Sequence, residues 1–413
     1  MNAPHRPSLL AGVKMAPRDP ILGLTEAFNA DPNPHKVNLG VGIYYNESGK
    51  VPLLDCVRRA EQQLARDPPS RSYLPIDGLP AYDSAVQALV FGAACQSMKD
   101  GRIVTVQALG GTGGLKVGAD FLRRAAPDAQ VWISDPSWEN HRALFESAGF
   151  TVNTYAYYDA ATHGIDFDGM NAALNAMPAG AIVVLHACCH NPTGVDLSAQ
   201  QWRRVLDIVQ SRGLIPFLDL AYQGFGDGLD ADAGTVRMFA DGAGPVFVAS
   251  SFSKSVSLYG ERVGALSVVT GSADEAARVL SQLKRTVRTN YSNPPSHGGR
   301  VVAMVLTTPV LRELWEKELQ QMRQRIRQMR GQLVDKLRER GTEADFGFVA
   351  NQRGMFSYSG LTRDQVLRLR SEFGVYALDT GRICVAALNA GNLDYVADAI
   401  ARVIKIDRLA ASN

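Results

Sequence analysis

The sequence has neither an excess of one charge sign nor a long apolar run. Its 413 residues carry 43 Lys and Arg against 41 Asp and Glu, which gives a net charge of +2. That balance offers no electrostatic attraction to nucleic acid or to an anionic membrane surface. Apolar runs such as Ala181 to Leu185 are far shorter than the roughly 20 residues that cross a bilayer. We therefore expect no nucleic-acid partner and no membrane partner.

Cysteine is also scarce, with five residues in the whole chain. The first residues, Met1 to Pro7, lack the apolar run of a secretory signal peptide. An odd cysteine count in a long chain without an export signal is typical of reduced thiols. These features together predict a cytoplasmic protein.

The phosphate-binding motif G-x-x-x-x-G-K-S/T is absent, which excludes P-loop phosphoryl transfer. A different glycine-rich segment, 110–114, lies between a predicted strand at 103–109 and a predicted helix at 115–125. Free amide groups and the positive end of a helix make such a junction suitable for phosphate. Lys116 replaces the third glycine of a dinucleotide fingerprint. Asp135, which ends the next predicted strand, nevertheless keeps a nicotinamide dehydrogenase open as an alternative.

One lysine, Lys254, closely follows a predicted strand that includes Val246 to Val248. A lysine at the end of a buried strand loses hydration, which lowers its pKa, and a neutral amine can form a Schiff base. Ser251, Ser253 and Arg262 supply donors for a phosphate beside that amine. The combination fits an aldehyde cofactor with a phosphate, pyridoxal phosphate. An ordinary surface turn remains open, because Ser-x-x-Lys is a weak motif by itself.

Asp219 lies near the end of another predicted strand, at 214–222. Ligands of parallel α/β sheets bind at the carboxyl ends of the strands, where a carboxylate would keep a pyridine nitrogen protonated. A turn or cap role is the alternative. Trp138, in a loop after a strand, provides either a flat wall for a ring or core packing.

Three potential zinc ligands, His186, Cys188 and His190, alternate along the chain after an apolar run. No second ligand cluster accompanies them in the sequence, so we expect no metal.

Strands alternate with helices from about residue 100 to 270, which predicts a mostly parallel sheet with helices on both faces. A glycine-containing run at 37–45 resembles a strand, and 311–340 has the pattern of a long solvated helix. We expect an N-terminal arm and part of a small domain at 1–48, a large cofactor-binding domain at 49–310, and a small α+β domain at 311–413.

Taken in order, these segments resemble the class I aminotransferases that depend on pyridoxal phosphate, in the branch of the aspartate and aromatic amino acid enzymes. The resemblance extends from about Val13 to Ile404. It is carried by HNPTG at 190–194, DLAYQGF at 219–225, SFSK at 251–254 with ERVG at 261–264, TNYSNPP at 289–295 and GRICVA at 381–386. It implies fold type I, an α/β architecture in which helices enclose a mostly parallel seven-stranded sheet, plus a smaller α+β domain.

The resemblance also implies residue roles at the cofactor. Lys254 is the Schiff-base lysine and the catalytic acid and base. Asp219, with His141 behind it, pairs with the pyridine nitrogen, while Asn191 and Tyr222 bond the phenolic oxygen. Trp138 stacks on the ring. The phosphate ligands are Gly111, Thr112, Ser251, Ser253, Arg262 and, from a second subunit, Tyr73.

Substrate contacts follow from the same resemblance. Arg382 binds the α-carboxylate as a two-pronged donor, and Arg288 of a second subunit binds a side-chain carboxylate. Gly42 lets the backbone close over the substrate, which also contacts Trp138 and Asn191. The implied protein is a homodimer with shared active sites that exchanges amino groups with 2-oxoglutarate in ping-pong fashion.

Sequence features that distinguish the aspartate enzymes from the aromatic enzymes of this branch point in both directions. Tyr45 replaces a lysine common in the aspartate enzymes, and the segments 137–141, 217–219 and 257–262 favour the aromatic enzymes. Thr112 and Asn293 favour the aspartate enzymes. We interpret the chain as an aromatic amino acid aminotransferase that retains activity on dicarboxylates. An aspartate aminotransferase with minor aromatic activity is the alternative within the family. A β-lyase or decarboxylase on the same fold and a silent binding protein are the others.

Overall fold

The computed structural model describes residues 8–16, 19, 21–242, 244–342 and 345–411, except for the side chains of Leu22 and 406–411. Its helices are α1 (Leu22–Ala30), α2 (Asp55–Arg66), α3 (Pro80–Phe91), α4 (Gln96–Lys99), α5 (Gly110–Ala125), α6 (Glu139–Ser147), α7 (Phe167–Ala176), α8 (Ala199–Arg212), α9 (Leu229–Ala240), α10 (Ala273–Asn290), α11 (His297–Thr307), α12 (Pro309–Glu339), α13 (Gly347–Asn351), α14 (Arg363–Phe373) and α15 (Leu393–Ala411). Its strands are β1 (Val37–Asn38), β2 (Ile103–Leu109), β3 (Val131–Asp135), β4 (Val152–Ala156), β5 (Tyr158–Asp159), β6 (Gly164–Ile165), β7 (Ile182–His186), β8 (Ile215–Leu220), β9 (Val246–Ser251), β10 (Val263–Val269), β11 (Phe356–Tyr358), β12 (Val375–Tyr376) and β13 (Arg382–Cys384).

A seven-stranded sheet in the order β2-β10-β9-β8-β7-β3-β4 confirms the predicted α/β architecture. Only β10 runs antiparallel to its neighbours. Ile182 and Val184 of β7 belong to the apolar cluster on one face, while Val183 and Leu185 belong to the cluster on the other. Both faces are therefore buried, which explains why the strands are continuous apolar runs.

The strand register gathers polar groups at one edge of the sheet. His186 pairs with Asp219, and Asp219 pairs with Ala249, across three adjacent parallel strands. Because those strands run in the same direction, the segments that follow them emerge side by side. Asn191 and Lys254 lie on two of these segments.

The prediction that residues 110–114 form a loop is wrong, because these glycines lie in the first turns of α5. The physical reason is packing. A Cβ at Gly114 would lie 2.7 Å from the Ala265 carbonyl oxygen, and one at Gly113 would lie 2.9 Å from the Leu109 Cβ. Glycine lets α5 begin directly on the sheet, so its amino end points at the edge where the polar groups meet.

The strand predicted at 37–45 is also shorter than expected, since only Val37 and Asn38 are in a strand. They pair in parallel with β12, which joins the N-terminal segment to C-terminal elements. After this strand the segment makes isolated hydrogen bonds. The Gly40 carbonyl accepts from the Arg382 side chain, and the Tyr45 amide donates to the Ala386 carbonyl.

The long helix predicted at 311–340 is confirmed as α12, Pro309–Glu339. Its buried stripe includes Leu319, Met322 and Ile326, so one face is core and the other is solvated. The Glu318 carboxylate accepts hydrogen bonds from the first two amides of α2, at 2.6 and 3.1 Å. This contact ties α12 to the amino end of α2.

No helix in the described part of the chain combines the length and the apolar character that crossing a membrane would require. All five cysteines are buried and free.

Candidate active site

A cavity of about 400 Å³ opens at the carboxyl edge of the sheet. It brings together twelve of the residues named from the sequence: Gly42, Gly111, Thr112, Trp138, Asn191, Asp219, Tyr222, Ser251, Ser253, Lys254, Arg262 and Arg382. These residues come from distant parts of the chain, and the ends of the parallel strands bring them together.

Lys254 is half-buried and lines this cavity. Burial lowers the pKa of Lys254 to about 8, although the Asp219 charge acts in the opposite direction. Its Nζ lies 4.9 Å from the centre of the Tyr222 ring. A larger fraction of this amine is therefore neutral, and able to act as a nucleophile or base, than for an exposed lysine at the same pH.

Asp219 is a buried carboxylate held by a chain of hydrogen bonds. His141 Nε2 donates to its Oδ2 at 2.9 Å, and Ser137 Oγ lies 2.9 Å from the other ring nitrogen, Nδ1. Burial raises the pKa of Asp219, but the bond and charge from His141 and the nearby Lys254 outweigh it and hold the pKa below its ordinary value. Oδ1 has no hydrogen-bond partner among the described residues. An ionised oxygen is thus left to bind a protonated ring nitrogen.

A cradle for a phosphate lies at the amino end of α5. Ser251 Oγ accepts from the Ser253 amide at 3.2 Å, and Arg262 Nη1 donates to Ser253 Oγ at 3.2 Å. A Cβ at Gly110 would lie 2.6 Å from Arg262 Nη2, so only glycine admits the guanidinium this close. Helix amides, two hydroxyls and one guanidinium form the donor set that a phosphate dianion requires.

Arg382 is a second cationic group, almost wholly buried at 1% exposure. Its Nη1 donates to Asn191 Oδ1 at 3.0 Å and its Nη2 to the Gly40 carbonyl at 2.6 Å, while Nε is unpartnered among the described residues. Its guanidinium stacks on the Phe356 ring at 4.3 Å. Burial lowers the pKa of Arg382. A buried guanidinium without a carboxylate partner is suited to bind a ligand carboxylate.

Asn191 and Tyr222 present donors to the same cavity. Because Asn191 Oδ1 is occupied by Arg382, its NH₂ group is the part left to donate to a ligand. Burial raises the pKa of Tyr222 well above its ordinary value, so the hydroxyl keeps its proton. Trp138 contacts the His141 ring edge-on at 5.2 Å between ring centres and forms a cavity wall.

Two predicted residues do not reach this cavity within one chain. Tyr73 is 90% exposed, and Arg288 is exposed with its guanidinium donating to Ser292 Oγ. Both had been placed at the active site only as contributions of a second subunit. Tyr45, used to argue substrate preference, also lies outside this cavity.

Other cavity residues were given no role in the sequence analysis. Tyr259 is half-buried, and its hydroxyl accepts from the Tyr44 amide at 2.9 Å. Phe356 supports Arg382 from the short strand β11. In the sequence, only the position of Tyr259 shortly before Arg262 indicates a place near the site. Spacing along the chain does not show which way a ring points.

The zinc hypothesis for His186, Cys188 and His190 finds no support in the geometry. His190 is engaged by two hydroxyl groups, with Nε2 2.9 Å from Ser134 Oγ and Nδ1 2.8 Å from Thr193 Oγ1. In the described chain His186 and Cys188 belong to two different groups of potential ligand atoms within 4.8 Å, His186 with His141 and Asp219, and Cys188 with Cys189 and Asp232, so the three residues do not converge on one point.

The amino-acid sequence is similar to those of known proteins. The family model for aminotransferases of class I and II matches residues 34–400. The chain is 62% identical to an aspartate aminotransferase of Pseudomonas aeruginosa over 397 residues, which cover 96% of this chain and 100% of that protein. It is 53% identical to an aromatic-amino-acid aminotransferase of Escherichia coli over 387 residues, covering 94% and 98% of the two chains.

A solved structure is similarly close. The aromatic-amino-acid aminotransferase of Burkholderia pseudomallei, covalently bound to pyridoxal phosphate, superimposes with a TM-score of 0.94 and 64% identity. The match covers 96% of this chain and 100% of that one.

The lowered pKa of Lys254 gives a first prediction. In protein freed of bound aldehydes, acetylation of Lys254 by acetic anhydride should reach half its maximal rate near pH 8, because only the neutral amine reacts. Exposed lysines, with a pKa of about 10.4, serve as internal references in the same mass spectra. Asp219→Asn removes a charge that raises this pKa, so the midpoint should move to lower pH. A Lys254 midpoint that coincides with the exposed lysines would contradict the assignment.

Proposed function

The chain belongs to the class I and II aminotransferase family, and we propose that it transfers the amino group of an aromatic amino acid, and also of aspartate or glutamate, to 2-oxoglutarate with pyridoxal phosphate. The observation that carries this proposal is the composition of one cavity. It combines a lysine of lowered pKa, an ionised carboxylate and a buried arginine.

The donor and acceptor groups fit the proposed cofactor part by part. Lys254 matches the aldehyde, Oδ1 of Asp219 matches the pyridine nitrogen, and Trp138 matches the flat ring. The cradle of Gly111, Thr112, Ser251, Ser253 and Arg262 matches the phosphate. Bound pyridoxal phosphate supplies an electrophilic carbon for amines and a ring that accepts electrons when the bond from the α-carbon to its hydrogen breaks.

The chain's own residues then perform binding and proton transfer. Arg382 holds the substrate α-carboxylate through a charge-assisted pair and so fixes the α-carbon beside Lys254. With its amine free, Lys254 would accept the α-proton as a general base. Asp219 stays ionised because His141 stabilises its charge, and it thereby keeps the ring nitrogen protonated.

Aromatic preference is supported by the apolar lining on the substrate side of the cavity. Val41, Ile43, Tyr259 and Phe356 all line it. The similar proteins include both aspartate and aromatic enzymes, so an aspartate aminotransferase with minor aromatic activity is the second candidate. The two specificities differ by contacts worth only about 1–3 kcal/mol.

A homodimer with shared active sites is supported by what one chain leaves exposed. Tyr73 is 90% exposed although phosphate binding is its proposed role, and Arg288 is exposed too. Apolar side chains also remain open to solvent, including Leu9 at 95% and Val310 at 66%. We place the enzyme in the cytoplasm, in keeping with five buried free cysteines.

We propose that the large cofactor-binding domain begins near residue 49 and ends near residue 310. The pairing of β1 with β12 supports grouping 1–48 with the C-terminal part. The start of α12 at Pro309 supports the second limit. Part of the N-terminal arm, at 1–7, 17–18 and 20, lies outside the described residues.

Replacement of Lys254 tests the cofactor chemistry. Lys254→Ala should lose the violet absorption band of the purified enzyme and lower the turnover of 2-oxoglutarate by a factor of about 10²–10⁴ or more, because the nucleophile and the base are removed together. Lys50→Ala, at an exposed lysine outside the cavity, is the control and should leave both unchanged. An intact band in Lys254→Ala would exclude the proposal.

Substrate preference is tested by kcat/KM for phenylalanine, tyrosine and aspartate with 2-oxoglutarate, in the wild type and in Arg288→Ala. We expect the aromatic substrates to match or exceed aspartate, and the substitution to reduce aspartate turnover by about a hundredfold, or roughly 2.7 kcal/mol, while sparing phenylalanine. A hundredfold lead for aspartate in the wild type would establish the second candidate instead.

Mixed dimers test the sharing of active sites. Lys254→Ala and Arg288→Ala subunits, unfolded together and refolded in equal amounts, should recover about a quarter of the wild-type activity on aspartate, because one site in each mixed dimer is complete. Lys254→Ala mixed with Arg382→Ala is the control and should recover nothing, since both residues belong to the same cavity. Equal recovery in the two mixtures would show that Arg288 does not act across an interface.

A further inference from the structure

The active-site cavity has one thin wall, formed by residues 41–43. Val41 and Ile43 line the active-site cavity and also line a second cavity of about 760 Å³ on their other side, which we call the rear cavity. The rear cavity lies between α1, the segment after it and the start of α15, and includes Thr25 and Asn392 in its lining. A displacement of the wall can therefore enter open space instead of packed protein.

Parts of the remaining wall are backed by core. Leu115 and Trp138 pack in or against the apolar cluster on one sheet face, and Tyr222 and Phe356 belong to the larger cluster. Close-packed interiors resist the displacement of whole side chains. Residues 41–43, by contrast, are only half-buried.

The backbone of the wall is anchored at its ends. Before it, the Gly40 carbonyl accepts from Arg382 Nη2 at 2.6 Å. After it, the Tyr44 amide donates to Tyr259 Oη at 2.9 Å. Two fixed ends with a short segment between them allow that segment to bend as a unit.

Within the wall the backbone contacts are few. The Ile43 amide donates to the Val41 carbonyl at 2.9 Å, which is a bond inside the segment. Cys384 Sγ lies 3.6 Å from the Ile43 carbonyl, a weak thiol contact.

Gly42 lies between the two residues that line both cavities. A Cβ at Gly42 would lie 2.7 Å from Phe356 Cζ, so only glycine leaves this ring in its present position. On its other side the wall adjoins the open space of the rear cavity.

We propose that residues 41–43 yield into the rear cavity to admit an aromatic side chain, so that the free volume behind this wall determines how well the enzyme accepts aromatic substrates relative to aspartate. The inference rests on the proposed function and deepens it. A compact dicarboxylate fits without the displacement, whereas a ring needs extra space that the core-backed walls do not provide. Tyr45, which lines the rear cavity, contributes to preference from that side.

Filling the rear cavity tests the proposal. Thr25→Trp and, independently, Asn29→Trp add bulk at residues that line the rear cavity and not the active site. Each should lower kcat/KM for phenylalanine and tyrosine at least tenfold and leave aspartate within about twofold. Thr25→Val removes the same hydroxyl without filling, and Glu26→Trp adds the ring at a neighbouring residue that lines neither cavity. Both controls should keep the wild-type ratio.

The outcomes separate this inference from the function on which it rests. If the wild type turns over aromatic substrates and both filling variants keep its ratio, or lose all substrates equally, the role of the rear cavity is overturned while the proposed function stands. If the wild type turns over aspartate but not aromatic substrates, the proposed preference fails and this inference fails with it.

Discussion

The buried carboxylate of Asp219 is the charge on which the active site depends. Burial raises its pKa, and the hydrogen bond and charge from His141 outweigh burial and hold the pKa below its ordinary value. That negative charge then acts on Lys254, where it opposes the loss of a proton that burial favours. Asp219 is therefore an ionised acid although it is buried, and Lys254 is a partly neutral amine beside it. The parallel register of β7, β8 and β9 is what places them in one cavity.

Much of this arrangement was predictable from the sequence, because strand ends are predictable. Continuous apolar runs located β2, β7, β8 and β9, and parallel packing then requires their carboxyl ends to meet. Asp219 and Lys254 were found in this way. The helical start at Gly110 was not predicted, because glycine favours a loop locally, and the close approach of Gly114 to the Ala265 carbonyl appears only in the folded chain. Tyr73 and Arg288 came from family resemblance alone, since nothing local marks a residue that acts in a neighbouring subunit.

Buried arginines illustrate a second limit of sequence reasoning. Arg330 is 2% exposed and has no carboxylate partner among its hydrogen bonds in the described chain. It donates to the carbonyl oxygens of Gly354 and Phe356, at 2.8 and 3.0 Å, and to the Ser357 hydroxyl. Burial lowers the pKa of Arg330 to about 10. A desolvated cation is costly unless its donors are used, and here they fix the short strand that carries Phe356 beneath Arg382. On the sequence alone, Arg330 was one more charge on a solvated helix.

Asn191 connects the two ends of the proposed chemistry. Its Oδ1 accepts from Arg382, which fixes the amide so that its NH₂ group faces the cavity. In the proposed mechanism, a substrate carboxylate on Arg382 would alter the bond that orients Asn191, so the cofactor oxygen proposed to accept from Asn191 would experience a different donor. Recognition of the α-carboxylate would then be coupled to the electrostatics of the ring through one side chain, at the distance of a single hydrogen bond. Such coupling strengthens in a site that excludes water.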